Sequence, residues 1–248
     1  VDSYDLEFNF RNDLNAIATI KTDELKDEYK FTLYHGYKIS KITDGNNDEL
    51  NFTRDSDYLT IKNTSKSKLI KIYYHGSCDK YYSNYLSVFL PGNFAFYPIP
   101  GFNEMYSTHS YAGFDNLSLP YETDFNVTVH SLKKVQCNLE ISTNNEFKGK
   151  SDSLTLLSGF INCVTINKTQ IYYPYFNDAY NSDTINEKLE TFVSKNPNIK
   201  KIFIIPDINL EDIEFVKTFN DYMITASIDD IDRLAFVSKI SANKMELY

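Results

Sequence analysis

A chain of 248 residues with 42% apolar content is long enough for one large domain or two modest ones, and its 20 Tyr and 18 Phe with no Trp favour strands over an all-helical bundle. Its 25 basic residues against 34 acidic ones leave a formal net charge of −9, which repels a phosphate backbone and excludes nucleic acid as a partner. No stretch reaches the roughly 18 consecutive apolar residues of a spanning helix, and the start at Val1 rather than Met, with no basic-then-apolar leader, reads as a processed or excised piece.

In chain order, Tyr4, Leu6, Phe8 and Phe10 alternate with polar residues, placing the rings on one strand face; Asn12-Asp13 signals a turn and Ala16 to Ile20 resumes the sheet, a hairpin. Further strands are expected at Lys30 to Leu33, Tyr37 to Ile42, Leu50 to Thr53, Tyr58 to Ile61, Leu69 to His75, Phe94 to Tyr97, Phe125 to His130 and Gln136 to Ser142. Polar clusters such as Asp44-Gly45-Asn46-Asn47 separate them, a spacing that indicates a β-sandwich or a large curved antiparallel sheet.

Near residue 150 the pattern changes. Asn144-Asn145-Glu146 and Gly149 to Ser153 read as polar loops, after which strands alternate with helices. Thr184 and Glu187 fit a capping box, with Ile185, Leu189, Phe192 and Val193 at helical spacing behind it and Asn196-Pro197-Asn198 as the stop. Lys201 to Ile205 reads as a strand buried on both faces. Asn209 is a cap for a second helix carrying Leu210, Ile213 and Val216, Tyr222 to Ala226 a strand, and Asp229 or Asp230 a cap for a third helix. The expected fold is therefore mixed: a β domain over residues 1–145 and a smaller, incomplete α/β region over 146–248.

Several segments in order resemble the aminopeptidase N type of gluzincin metallopeptidase. Tyr4 to Phe10 with Ala16 to Ile20 is similar to that family's first hairpin, Leu33 to Ile39 to its next strand and turn, and Leu69 to Ser77 to its strand ending in a Tyr-x-Gly turn. The most specific match is Phe96-Tyr97-Pro98-Ile99-Pro100-Gly101, with Phe96 where Trp is common; Phe125 to Val129, Leu157 to Phe160 and Ile171 to Pro174 resemble the passage into the catalytic domain. The resemblance implies a zinc peptidase scaffold and places Phe96, Tyr97, Pro98, Pro100 and Gly101 near a domain interface or recognition surface.

Two departures limit what that resemblance carries. A gluzincin holds zinc with a His-Glu-x-x-His helix and a distant Glu. The histidines here are His35, His75, His109 and His130, none followed by Glu, and an acidic segment from Asp207 to Asn220, read as helical, stands where the family's amine-binding Gly-x-Met-Glu-Asn loop would follow. No catalytic or metal-ligating residue is assigned, no cofactor is expected in this chain, and zinc belongs to a parent protein at most. Similar peptidase-like domains without that loop occur as extracytoplasmic parts of bacterial membrane transport proteins. The expected function is thus a non-catalytic, extracytoplasmic, substrate- or partner-facing module of a membrane-anchored protein, with a peptide or protein as partner. The alternatives are a fragment of a zinc aminopeptidase whose catalytic helix lies beyond residue 248, and a free-standing carbohydrate- or protein-binding β-sandwich.

Other constellations read more simply as structure. His75 and His109 with Glu104 match no metal spacing. Ser107, His109 and Asp115 have the letters of a triad but not its distant assembly, and Asp229, Asp230 and Asp232 suit a helix first turn. Tyr81, Tyr82 and Tyr85, with Tyr73 and Tyr74, could form a recognition surface, although half-buried sheet positions explain them as well. Pro91 to Gly101 reads as a rigid turn. Cys78, Cys137 and Cys163 read as buried thiols, with a Cys78–Cys137 bridge left open.

Overall fold

A computed structural model describes residues 1–78, 81, 83–104, 117–159, 161–174, 183–204 and 216–225. The described residues up to Gly159 form one compact unit and those from Ile161 onward a second.

The first unit contains β1 (Ser3–Phe10), β2 (Leu14–Lys21), β3 (Glu28–Thr32), β4 (Tyr37–Asp44), β5 (Phe52–Asp55), β6 (Tyr58–Lys62) and β7 (Leu69–Gly76). It continues with β8 (Val88–Leu90), β9 (Ile99–Pro100), β10 (Thr123–His130), β11 (Val135–Cys137), β12 (Glu140–Thr143), β13 (Glu146–Ser151) and β14 (Leu156–Ser158). Seven of these make one sheet in the order β12-β13-β10-β1-β2-β7-β4; β5-β6-β3-β9 and β11-β14-β8 make two smaller ones. The opening alternation does what its period demands: Tyr4, Leu6, Phe8 and Phe10 are at most 2% exposed, and β1 pairs with β2 as a hairpin. On its other edge β1 pairs in parallel with β10, Leu6 opposite Val127, so the large sheet is mixed rather than wholly antiparallel.

Three expectations are corrected here. Phe94 to Tyr97 is a turn, with the Phe94 N–H donating to the Pro91 carbonyl at 3.1 Å and the Phe96 N–H to the Phe94 carbonyl at 2.9 Å. All four of its side chains are fully buried, which a strand with one outward face would not allow. Gln136 to Ser142 divides into β11 and β12, which lie in different sheets. Glu146 to Ser151, read as the edges of two loops, is β13, paired with β10 over six residues; only Phe147 marks its buried side strongly.

The second unit contains β15 (Ile161–Ile166), β16 (Thr169–Pro174), α1 (Asp183–Lys195), β17 (Lys201–Ile204), β18 (Val216–Thr218) and β19 (Tyr222–Thr225), in sheet order β15-β16-β17-β19-β18. Strands β16, β17 and β19 are parallel, a pairing that needs crossovers, and α1 lies in the first of them. Leu189, Phe192 and Val193 of α1 pack in one apolar cluster with Ile171, Ile202, Ile204 and Met223. The helix begins one residue before the expected cap, so Thr184 lies inside it. Asn196 closes it, donating its backbone N–H and side-chain amide to the Phe192 carbonyl. Val216, expected in a helix, lies in β18 antiparallel to β19, so the acidic segment up to Asn220 is not helical at 216–218. Residues 207–215 and the expected third helix at Asp229 or Asp230 lie outside the described residues.

Candidate functional site

The segment Phe96 to Gly101 is held from both sides. The Tyr74 hydroxyl donates to the Phe96 carbonyl and the Tyr4 hydroxyl to the Pro98 carbonyl, each at 2.8 Å, so two tyrosines of the large sheet fix the strap from inside. Beyond it, β9 pairs with β3, the Gly101 N–H donates to the Lys30 carbonyl at 2.9 Å, and the Thr32 hydroxyl donates to the Gly101 carbonyl at 2.9 Å. Gly101 turns at φ +86°, a left-handed backbone that suits a residue without Cβ. Phe96 packs on Phe8 and Tyr97 edge-on to Tyr4, both fully buried. Pro98 is also buried, so only Pro100 and Gly101 reach the surface, beside a cleft of about 220 Å³ that Thr22, Lys26 and Lys30 help to line.

Burial pushes the phenols of Tyr4, Tyr37, Tyr74 and Tyr97 well above their ordinary range, with neighbouring phenols adding at Tyr4 and Tyr74. A folded-state pKa raised above the unfolded value favours the proton-bound native form. The associated stability is complete below about pH 10 and is lost as pH rises beyond it, because the unfolded chain then releases protons that the native state retains. Urea midpoints should therefore fall steeply above about pH 10, with the tyrosinate absorbance of these four phenols gained only as the chain unfolds. The Tyr4→Phe, Tyr74→Phe double variant should fall less steeply there, while losing about 0.5–1.5 kcal/mol per hydroxyl at neutral pH.

The remaining candidates separate. Tyr81 is buried against Phe89 and Phe94, Tyr74 faces inward, Tyr73 is half-buried on the outer face and Tyr85 is exposed, so these tyrosines form no single surface. Cys78 and Cys137 are separate buried thiols, and Cys163, expected buried, is exposed. Tyr82, Ser107, His109, Asp115, Asp229, Asp230 and Asp232 lie outside the described residues. Among the described residues no group of three or more His, Cys, Asp or Glu could hold a metal ion.

Two features escaped the sequence. Arg54 projects from β5 and donates to the carbonyls of Leu33, Tyr34 and Tyr37, while the carboxylate of Asp57 accepts from the His35 N–H at 2.6 Å and lies 2.9 Å from His35 Nδ1. Together they clamp the 33–37 turn, and burial lowers the Arg54 pKa from its ordinary value. The second is a cleft of about 250 Å³ on the outer face of the seven-stranded sheet, lined by Glu7, Asn9, Asn15, Ser40, Tyr73 and His75. His130 Nε2 lies 3.1 Å from Glu7 Oε1 at its rim, and the Lys41 ammonium sits 4.5 Å over the Tyr73 ring. No local motif announces either, since each joins residues from several strands.

No protein-family model matches this sequence, and no curated protein matches it. Among solved structures, the fold is similar to an aminopeptidase N family protein from Idiomarina loihiensis, with a TM-score of 0.58 at 10% identity over 92% of this chain and 43% of that one. It is similar to an M1 zinc metallopeptidase from Deinococcus radiodurans, with a TM-score of 0.57 at 10% identity over 95% of this chain and 61% of that one. It is also similar to the leukotriene A4 hydrolase of Saccharomyces cerevisiae, with a TM-score of 0.56 at 12% identity over 91% of this chain and 40% of that one. Identities this low carry the fold alone, and the chain spans less than two thirds of each of these proteins.

Proposed function

We propose that this chain is a non-catalytic, substrate- or partner-facing module of a membrane-associated protein built on the M1 metallopeptidase plan, displayed outside the cytoplasm. The observation that carries the reading is the similarity of over nine-tenths of the chain to such enzymes, in a sequence where no histidine is followed by Glu and none occurs after His130. The residues present do not fit a gluzincin zinc, which needs two imidazoles one helical turn apart and a carboxylate to activate water. The extracytoplasmic and transport-associated part rests on the resemblance to peptidase-like domains of bacterial membrane transport proteins. The peptide or protein partner rests on the same resemblance. The purified 248-residue chain should retain no stoichiometric zinc after dialysis and should release no product from aminoacyl p-nitroanilides; a tightly retained equivalent of zinc would overturn the proposal.

The neighbours' identity as zinc metallopeptidases favours a second reading, in which the parent protein places a zinc helix downstream and removes N-terminal residues from peptides. The parent gene separates the two: a His-Glu-x-x-His in the stretch after Tyr248 supports the enzyme, whereas a membrane-spanning run directly there supports the transport-associated module.

A further inference from the structure

We propose that the cleft on the outer face of the seven-stranded sheet binds one ring of a neutral saccharide. Strand register builds the site. Asn9 stands directly opposite Asn15, and Asn15 directly opposite His75, so three polar side chains form a row across β1, β2 and β7 at about 4.8 Å per strand. The adjacent row is Glu7, Ile17 and Tyr73, which sets a half-buried aliphatic and aromatic floor beside the polar row. In β4 the register shifts between Ile39 and Lys41, and Ser40 is the extra residue of that bulge; it adds a hydroxyl to the cleft lining.

The chemistry of this lining selects the ligand. A sugar hydroxyl both donates and accepts, and it needs partners of both kinds at close spacing; two carboxamides, a hydroxyl, an imidazole and a carboxylate supply them. Asn15 donates through Nδ2 to Asp13 at 3.3 Å, a contact that turns its amide without removing its carbonyl oxygen. The C–H face of a pyranose packs on apolar surface, as Ile17 offers beside the Tyr73 ring, over which the Lys41 ammonium sits. Glu7, Asp5 and Asp124 on the β1 and β10 side are equalled in number by Lys38, Lys41 and Lys71 on the β4 and β7 side, so the face favours neither an anion nor a cation. An extended peptide is disfavoured: β1, β2 and β7 are each paired on both edges, so this face offers side chains and no backbone groups for strand addition.

The inference stands apart from the peptidase-like reading, and the zinc measurement does not bear on it. The test is a titration of the ¹⁵N-labelled full chain with maltotriose, cellotriose and tri-N-acetylchitotriose, followed by amide chemical shifts. At least one sugar should shift Asn9, Asn15, Ile17, Tyr73 and His75 saturably at millimolar concentration. Asn15→Leu and His75→Leu should each weaken that binding roughly three- to tenfold, the loss of about one hydrogen bond, with the urea midpoint unchanged. Saturable shifts from none of the three sugars, shifts that survive both substitutions, or a response of the same residues to trialanine and to no sugar would each overturn the proposal.

Discussion

Phe96→Ala is expected to destabilise the first unit by about 3–5 kcal/mol, a large share of the roughly 5–15 kcal/mol of an ordinary domain. The ring is fully buried between Phe8, at 5.6 Å, and Tyr97, at 5.1 Å, and its own carbonyl receives the Tyr74 hydroxyl. Removing it leaves a cavity that strap and sheet, both held by hydrogen bonds, cannot collapse to fill. Urea unfolding followed by circular dichroism measures the loss, and Phe96→Leu, which keeps most of the volume, should lose far less. The control is Phe102→Ala: that ring is 48% exposed and leans on Tyr58 at 4.8 Å, so its truncation should cost under about 1 kcal/mol. An unchanged midpoint for Phe96→Ala would return the residue to the recognition role that the resemblance implied.

Gly76→Ala should be nearly as damaging, at about 2–5 kcal/mol, for a different reason. Gly76 ends β7 at φ +149°, and a Cβ built there would stand 2.2 Å from the Gly36 carbonyl oxygen and 3.1 Å from the Tyr37 Cα. Those atoms are backbone and cannot rotate away. Tyr37 is the register partner of Gly76, so the methyl would push the start of β4 off the sheet against the Arg54 clamp on the same turn. Hydrogen exchange should show lost protection at the β4 amides before the rest of the sheet opens. Gly45→Ala makes the comparison, because its nearest neighbour would be the Leu69 Cβ at 3.4 Å and its midpoint should barely move.

Much of this architecture could be read from residues alone, and the exceptions share a cause. The β1–β2 hairpin and the packed face of α1 were legible because one face of each is apolar at a fixed period. Strand β13 was not, because in Glu-Phe-Lys-Gly-Lys-Ser the buried side holds only Phe147, a glycine and Ser151. Phe94 to Tyr97 failed in the opposite sense: an unbroken apolar run fits a strand buried on both faces, and only the fold shows that these rings fill the interior from a turn. The resemblance singled out the Phe96–Gly101 strap, but burial of its rings had no local signature. The Asn9–Asn15–His75 row was invisible for a stronger reason, since His75 lies sixty residues along the chain from Asn15 and joins it only through register.

The parallel pairing of β1 with β10 sets an order of events during synthesis. Strand β1 leaves the ribosome well before β10, since that one of its two neighbours is encoded more than a hundred residues later. Until Thr123–His130 has emerged, the growing chain carries an open edge at β1, next to the most aromatic strand face in the sheet. Such a long-range contact slows closure and leaves the nascent protein dependent on protection of that edge. A gene fragment ending before Thr123 would keep the edge permanently, so its product should be recovered in aggregates or on chaperones, whereas one continued through Ser151 closes it with β10 and β13.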